Sequence, residues 1–246
     1  MIITINFLSQ DHTLKHIKPM SNDGPDKILK MLLYLAEGPS SRVVETFLIE
    51  SRLKVEKKFI NLIQGENLQP NFLKLNPLGQ VPCLDIGDNV ICESVTICEY
   101  LDKIKKSKSG LFGQTEIETA LIKMWQRRID LYVWENIYYS YQSSIGLEIF
   151  KTRILTLPNS SEAFARVAND RLRIFDDQLK DNPWIGGEHF SICDISLFTI
   201  LDFGLHNKQP FDSSLLRLNV WYSTMMTRDS IHESKLNLEI TNESQN

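Results

Sequence analysis

Cysteine is sparse and carries no pairing pattern. Cys83, Cys92, Cys98 and Cys193 show neither the CxxC spacing of a redox dithiol nor paired zinc-ligand spacings, so free thiols in a reducing compartment are expected and structural disulfides are not. There is no surplus of positive charge. Lys and Arg number 27 against 31 Asp and Glu, a net charge of −4, which offers no basic field for nucleic acid. Long apolar runs are missing too: no stretch approaches a membrane-spanning length, and the apolar opening Met1 to Leu8 lacks a basic leader and a small-residue cleavage site, so a cytoplasmic protein is expected. His12 and His16 stand four apart, but HTLKH lacks the glutamate of a zinc hydrolase and sits in a polar leader, and no metal site is expected. No internal repeat is present. What remains is a soluble globular composition, 42% apolar and 24% charged over 246 residues, enough chain for two ordinary domains.

The order of elements is legible from hydrophobic pattern and breakers. Residues 1–28 form a polar extension broken by Pro19, Gly24 and Pro25. Met31 to Leu35 is a short continuous apolar run, as a strand buried on both faces requires, and Gly38-Pro39-Ser40-Ser41 breaks it. Val43, Val44, Phe47 and Leu48 then recur at helical spacing behind the two serines. Val55, Phe59, Ile60 and Leu62 mark a second strand, Pro70 to Leu73 a short helix, and the runs flanking Gly87-Asp88 an antiparallel hairpin. A helix from Ser94 to about Ile104 closes the unit.

The lysine-rich stretch after it reads as a solvated linker, 106–114. Beyond it every long segment has helical period: Glu116 to Ser143, Ser161 to Leu179, Ser191 to Leu205 and Leu215 to Thr227. The expected class is α+β: a βαβαββα domain over 29–105, an all-helical domain over 115–233, and a disordered tail over 234–246.

Two elements in the first unit carry a resemblance. Asn76-Pro77-Leu78-Gly79-Gln80-Val81-Pro82, a hairpin, and then Glu93-Ser94-Val95-Thr96-Ile97-Cys98-Glu99-Tyr100-Leu101 resemble the NPxGxVP and ES-x-x-I-x-x-Y-L elements of the glutathione transferase family. Asn182-Pro183-Trp184-Ile185-Gly186-Gly187 and Phe190 to Ile195 resemble the family's loop and capped core helix. The likeness covers about residues 29–230 and is greatest to bacterial and fungal members. It implies a thioredoxin-like first domain, a helical-bundle second domain and a homodimer.

The resemblance also implies a site. Val81-Pro82 would be a cis peptide, exposing the Val81 backbone to the cysteinyl unit of glutathione; base rates alone give cis in only about 5% of X-Pro bonds. Glu93-Ser94 stands where a strand becomes a helix, so free amides and the Ser94 hydroxyl would take the γ-glutamyl carboxylate and Glu93 its ammonium. Gln80 is matched to the glycyl end, and Gln64 is either a second partner there or an ordinary loop residue. For the thiolate, the serine position of many members, four residues before Arg42, is occupied by Gly38. Ser40 stands where some bacterial members carry a cysteine and is the leading donor, with Ser41 and Tyr34 as alternatives. Trp134, Tyr138 and Tyr141 fall on one helical face and either line the second-substrate pocket or fill a core or dimer interface. Asp130 either reaches the glutathione amine across a dimer or pairs with Arg127. Ser191 and Asp194 form an S-x-x-D helix cap whose loss would cost about 1 kcal/mol.

The function that follows is conjugation of glutathione, as co-substrate and without a cofactor, to small hydrophobic electrophiles in detoxification. A glutathione-dependent peroxidase or disulfide reductase, and a noncatalytic interaction module, are the alternatives.

Overall fold

The computed structural model describes residues 31–105 and 109–243. The expected polar extension, with His12 and His16, lies outside them. Strand β1 (Leu32–Leu35) leads through helix α1 (Pro39–Glu50) to β2 (Glu56–Phe59). A short helix α2 (Pro70–Leu73) precedes the hairpin β3 (Cys83–Asp85) and β4 (Val90–Cys92), and α3 (Ser94–Ile104) follows. The sheet order is β2-β1-β3-β4, with β1 parallel to β2 and antiparallel to β3. This is the thioredoxin-like βαβαββα arrangement expected from the pattern.

Strand β1 divides the sheet into two faces, as alternation along a strand requires. Leu33 and Leu35 are fully buried and join α1 and α3 in the main core, whereas Tyr34 packs edge-on against Phe72 of α2. Gly38 caps α1 with φ 147°, a conformation unfavourable for any residue with a Cβ, and Pro39 opens the helix with its fixed φ and no wasted N–H.

The second domain is helical throughout: α4 (Glu116–Ile129), α5 (Glu135–Gln142), α6 (Leu147–Phe150), α7 (Ser161–Gln178), α8 (Ile192–His206), α9 (Leu216–Met225) and α10 (Asp229–Glu243). Thr115 and Glu118 start α4 with a reciprocal capping box. A π turn over Asp130–Trp134 joins α4 to α5, where one uninterrupted helix was expected.

Two expected boundaries need correction. The tail is not disordered from residue 234: α10 runs to Glu243, because Ile231, Ser234 and Leu238 form a buried stripe at helical spacing against α1. The end of the linker is not solvated either. Leu111 and Phe112 are buried, Phe112 stacks edge-on with Phe47, and the Leu111 carbonyl accepts from the Ile192 amide at 3.0 Å.

One core runs through both domains. Val43, Val44 and Phe47 of α1 belong to the same buried cluster as Ile195, Phe198 and Leu201 of α8. Helix α8 is buried on nearly every side, which is why its sequence is apolar all round rather than striped.

Candidate active site

Helices α1 and α3 both begin at the same end of the sheet, after strands β1 and β4 that run in the same direction, and their first turns touch. Ser94 Oγ donates a hydrogen bond to the Ser40 carbonyl at 2.8 Å, tying the two N-termini together. Each helix has unpaired amides and a positive dipole end there, so an anion placed between them is stabilised from two sides. Val81-Pro82 is cis and leads directly into β3. Glu93 takes φ 69° and ψ 122° at the step from β4 into α3.

The loop between α2 and the cis peptide is tied down by asparagines. Asn76 Nδ2 donates to the Gln80 carbonyl at 2.8 Å, and Asn67 Nδ2 to the Gly79 carbonyl at 2.7 Å. A Cβ on Gly79, whose φ is 62°, would meet the Asn67 carbonyl at 3.1 Å, so this tight approach requires glycine. Gln80 and Gln64 are both exposed at this end of the domain, and the Gln64 amide donates to Asn61 Oδ1 at 3.0 Å.

The three hydroxyls weighed as thiolate donors occupy different environments. Ser40 is half-buried in the first turn of α1, and among the described residues no side chain engages its hydroxyl. Ser41 is buried, and its Oγ accepts from the Ala36 amide at 3.2 Å, holding the loop before α1. Tyr34 lies on the α2 face of the sheet, where burial, Asp85 and Cys83 raise its phenol pKa. Of the three, only Ser40 stands at the meeting of the helix N-termini with a hydroxyl that is not fully buried; Ser41 keeps its proton but is enclosed.

Beside this point, between the two domains, runs a groove of about 870 Å³. Gly38, Pro39 and Arg42 form its first-domain edge, and Tyr138, Tyr141, Phe150 and Phe203 form an aromatic wall. Tyr141 and Phe203 meet edge-on with centroids 4.8 Å apart. Burial pushes the Tyr138 phenol up to about 12, so it remains protonated. Trp134 does not line the groove. It packs half-buried on the main core instead.

Five residues of the groove, from three helices, carried no signal in the sequence. Phe150 comes from α6, Phe203 and His206 from α8, and Lys235 and Leu238 from α10. The apolar period of α8 marked Phe203 only as a helix residue, and α10 was read as a tail.

Charges brace the site. Arg42 pairs with Asp202 of α8 at 2.5 Å and donates to the Ile231 carbonyl at 3.1 Å, joining α1, α8 and α10. Burial pushes the Asp202 carboxyl upward, but hydrogen bonds from Tyr222 and Arg42 more than offset it and hold it below the usual range. Asp130 accepts from Gln126 Nε2 at 2.8 Å; burial, with the nearby charges of Glu135 and Glu93, raises its pKa. Glu93 and Asp130 of one chain therefore bias the same region toward cations. Among the described residues no cluster of three or more His, Cys, Asp or Glu could hold a metal ion.

Known proteins share this architecture. Residues 30–103 match the family model described as glutathione S-transferase, N-terminal domain, and residues 161–229 match glutathione S-transferase, C-terminal domain; together they span more than half of the chain. Glutathione S-transferase 2 of Saccharomyces cerevisiae is 29% identical over 219 residues, covering 85% of this chain and 91% of that protein. Glutathione S-transferase F10 of Arabidopsis thaliana is 26% identical over 199 residues, covering 77% of this chain and 88% of that one. The crystal structure of Gtt2 from Saccharomyces cerevisiae superposes with a TM-score of 0.75 at 27% identity, over 82% of this chain and 99% of that one. With both domains matched in order, and the sheet, cis peptide and strand-to-helix step in place within the first, the chain belongs to the glutathione S-transferase family.

Proposed function

We propose that this protein conjugates the thiolate of glutathione to small hydrophobic electrophiles. The observation that carries the reading is the meeting of the α1 and α3 N-termini beside cis Val81-Pro82, at the edge of a groove with an aromatic wall. Glutathione is the co-substrate, and the reading requires no resident cofactor. Its backbone pairs with Val81, its γ-glutamyl carboxylate takes the first backbone amides of α3, beginning with that of Ser94, and Glu93 receives the ammonium; the Ser94 hydroxyl, expected to donate to the same carboxylate, instead gives its one proton to the Ser40 carbonyl. Gln80 and Gln64 face the glycyl end.

The Ser40 hydroxyl donates to the thiolate. A free thiol has a pKa of about 8.5, and lowering it by two units takes about 2.7 kcal/mol. One charge-assisted hydrogen bond together with the dipole of α1 supplies that amount. The thiolate then faces the groove, where Tyr138 and Tyr141 offer flat apolar contact to the electrophile.

The same reading places the protein in the cytoplasm, detoxifying such compounds as a homodimer. Ile117, Leu121 and Met124 leave an exposed apolar strip along α4 that a second copy would cover. None of the described helices is long and apolar enough to cross a membrane.

Calorimetric titration with glutathione, run beside an aryl-halide conjugation assay, tests this. Binding with turnover is expected. Ser40→Ala is expected to keep glutathione affinity, lose roughly 10- to 100-fold in rate, and move the pH–rate inflection upward because the bound thiol is then harder to deprotonate. An unchanged rate in that variant would assign the thiolate to another donor. Binding without conjugation would favour peroxide or disulfide chemistry at the same site, and absence of binding would leave an interaction module.

A further inference from the structure

Beyond the transferase site, we propose that Cys83 and Cys92 form a reversible oxidation site, a cross-strand dithiol that a hydroperoxide converts into a disulfide. The two cysteines are nine apart in the chain and carry no motif, but the β3–β4 register sets them directly opposite one another. Around the turn, the Ile86 amide donates to the Asn89 carbonyl at 3.0 Å, which fixes the phase of the ladder. Antiparallel pairs alternate from that point: Asp85 and Val90 are non-hydrogen-bonded, Leu84 and Ile91 are bonded, and Cys83 and Cys92 are again non-hydrogen-bonded. Such pairs bring their Cα atoms to about 4.5 Å, at the short end of the range of about 4.4–6.8 Å that a disulfide spans.

Both side chains point to the α2 face of the sheet, in one cluster with Ile60 and Phe72. Their environments are unequal. Cys83 is fully buried and Cys92 half-buried, so Cys92 is the thiol that meets solvent. The facing Cys83 thiol lowers the Cys92 pKa against burial and the Glu93 charge, while the Cys92 sulfur together with burial raises Cys83. Cys92 is thus the nucleophile and Cys83 the resolving thiol. Cys98 and Cys193 are wholly buried, their thiols pushed well up by burial, and they serve as internal controls.

The chemistry balances in two steps. The Cys92 thiolate attacks one oxygen of the hydroperoxide, the O–O bond breaks, and the alkoxide or hydroxide leaves with a proton, giving a sulfenic acid at Cys92. The Cys83 sulfur then attacks the Cys92 sulfur. Hydroxide departs, takes the Cys83 proton, and leaves as water. Two equivalents of a small thiol reverse the oxidation by exchange, becoming a disulfide themselves. Cytosolic disulfides of this kind are transient by nature. The bond would staple the hairpin at its open end, next to Pro82 on one strand and Glu93 on the other.

The test treats the full-length protein with hydrogen peroxide, blocks remaining thiols with an alkylating agent, and reads the mass. The expected result is loss of two hydrogen atoms and protection of two thiols. Cleavage at Asp85 or Asp88, which lie between the cysteines, should yield a Cys83–Cys92 linked peptide that dithiothreitol separates. Cys92→Ser should abolish the link, and Cys83→Ser should leave Cys92 oxidised by oxygen addition instead. Oxygen addition at Cys92 of the unaltered chain without a linked peptide, or alkylation of Cys92 no faster than of Cys98, would overturn the proposal. Both readouts on the unaltered protein stand even if a serine variant fails to fold.

Discussion

Glu93 is held at φ 69° where a residue with a side chain pays on the order of 1–3 kcal/mol. If its carboxylate exists to receive the glutathione ammonium, Glu93→Gln should leave the melting temperature unchanged and weaken glutathione binding by roughly tenfold, about 1.4 kcal/mol. A lower melting temperature with unaltered affinity would instead make Glu93 a structural residue. Asp194 shows the opposite balance. Its carboxylate accepts from the Ile185 and Ser191 amides, Ser191 Oγ and Trp221 Nε1 at 2.9–3.0 Å, inside a fully buried site. The expected cap is present, but it is also a hub joining the Trp184–Gly187 loop, α8 and α9. Asp194→Ala should therefore cost roughly 3 kcal/mol or more, since several buried donors lose their acceptor, rather than the cost of a surface cap. Glutathione affinity of the folded fraction should be unchanged; lost affinity at equal stability would contradict this.

Burial raises the Asp194 pKa to about 6 despite those hydrogen bonds. The native state then holds a proton more tightly than the unfolded chain, whose value is about 3.9. The stability contributed by this group is complete below about pH 4 and is lost as pH rises through 6, by roughly 2 to 3 kcal/mol. Denaturant titrations at several pH values should show the penalty of Asp194→Asn shrinking from pH 4 to pH 7. A penalty that grows over that window would contradict the assignment.

At the scale of elements, α10 is decisive because it covers α1. Thr46 Oγ1 donates to Ser234 Oγ at 2.9 Å, Asn237 Nδ2 to Glu45 Oε1 at 2.8 Å, and Arg228 makes a two-pronged pair with Glu50 at 2.9 and 3.0 Å. Ile231 and Leu238 bury their side chains there, each worth about 1.5–3 kcal/mol. Leu238→Ala should lower stability by roughly 2 kcal/mol and, because Leu238 also lines the groove, raise KM for the electrophile more than that for glutathione. Equal effects on both would mean that α10 acts only through α1. The composition of this segment is polar, and its apolar stripe of two residues is too thin to signal a helix without the partner surface. The hairpin and α3 were legible because Gly87-Asp88 and Glu93-Ser94 act within a few residues of themselves. The π turn was not, since an extra residue per turn leaves the apolar period nearly intact.

Across the whole molecule, α1 and α8 share one core, and the Arg42–Asp202 pair crosses between the domains. Separating them would expose Val43, Val44 and Phe47 on one side and leave a paired charge uncompensated on the other. The two domains should accordingly unfold as one: calorimetry should give a single transition with equal calorimetric and van't Hoff enthalpies, and near- and far-ultraviolet dichroism should change together. Two resolved transitions would show that the junction is a docking surface rather than a common core.

The order of strands and helices was determined by sequence alone, because hairpin turns and helix starts depend on neighbours in the chain; the cis bond at Val81-Pro82 was implied only by the family resemblance of the segment around it. Tertiary structure decided which hydroxyl is accessible beside the helix N-termini, with Ser41 buried under the Ala36 amide and Tyr34 turned to the α2 face. It also decided the groove, whose walls come from α1, α5, α6, α8 and α10, and the pairing of Cys83 with Cys92. Those features depend on register and on contacts between residues far apart in the chain, and hydrophobic periodicity reports which face of an element is buried but not what it is buried against.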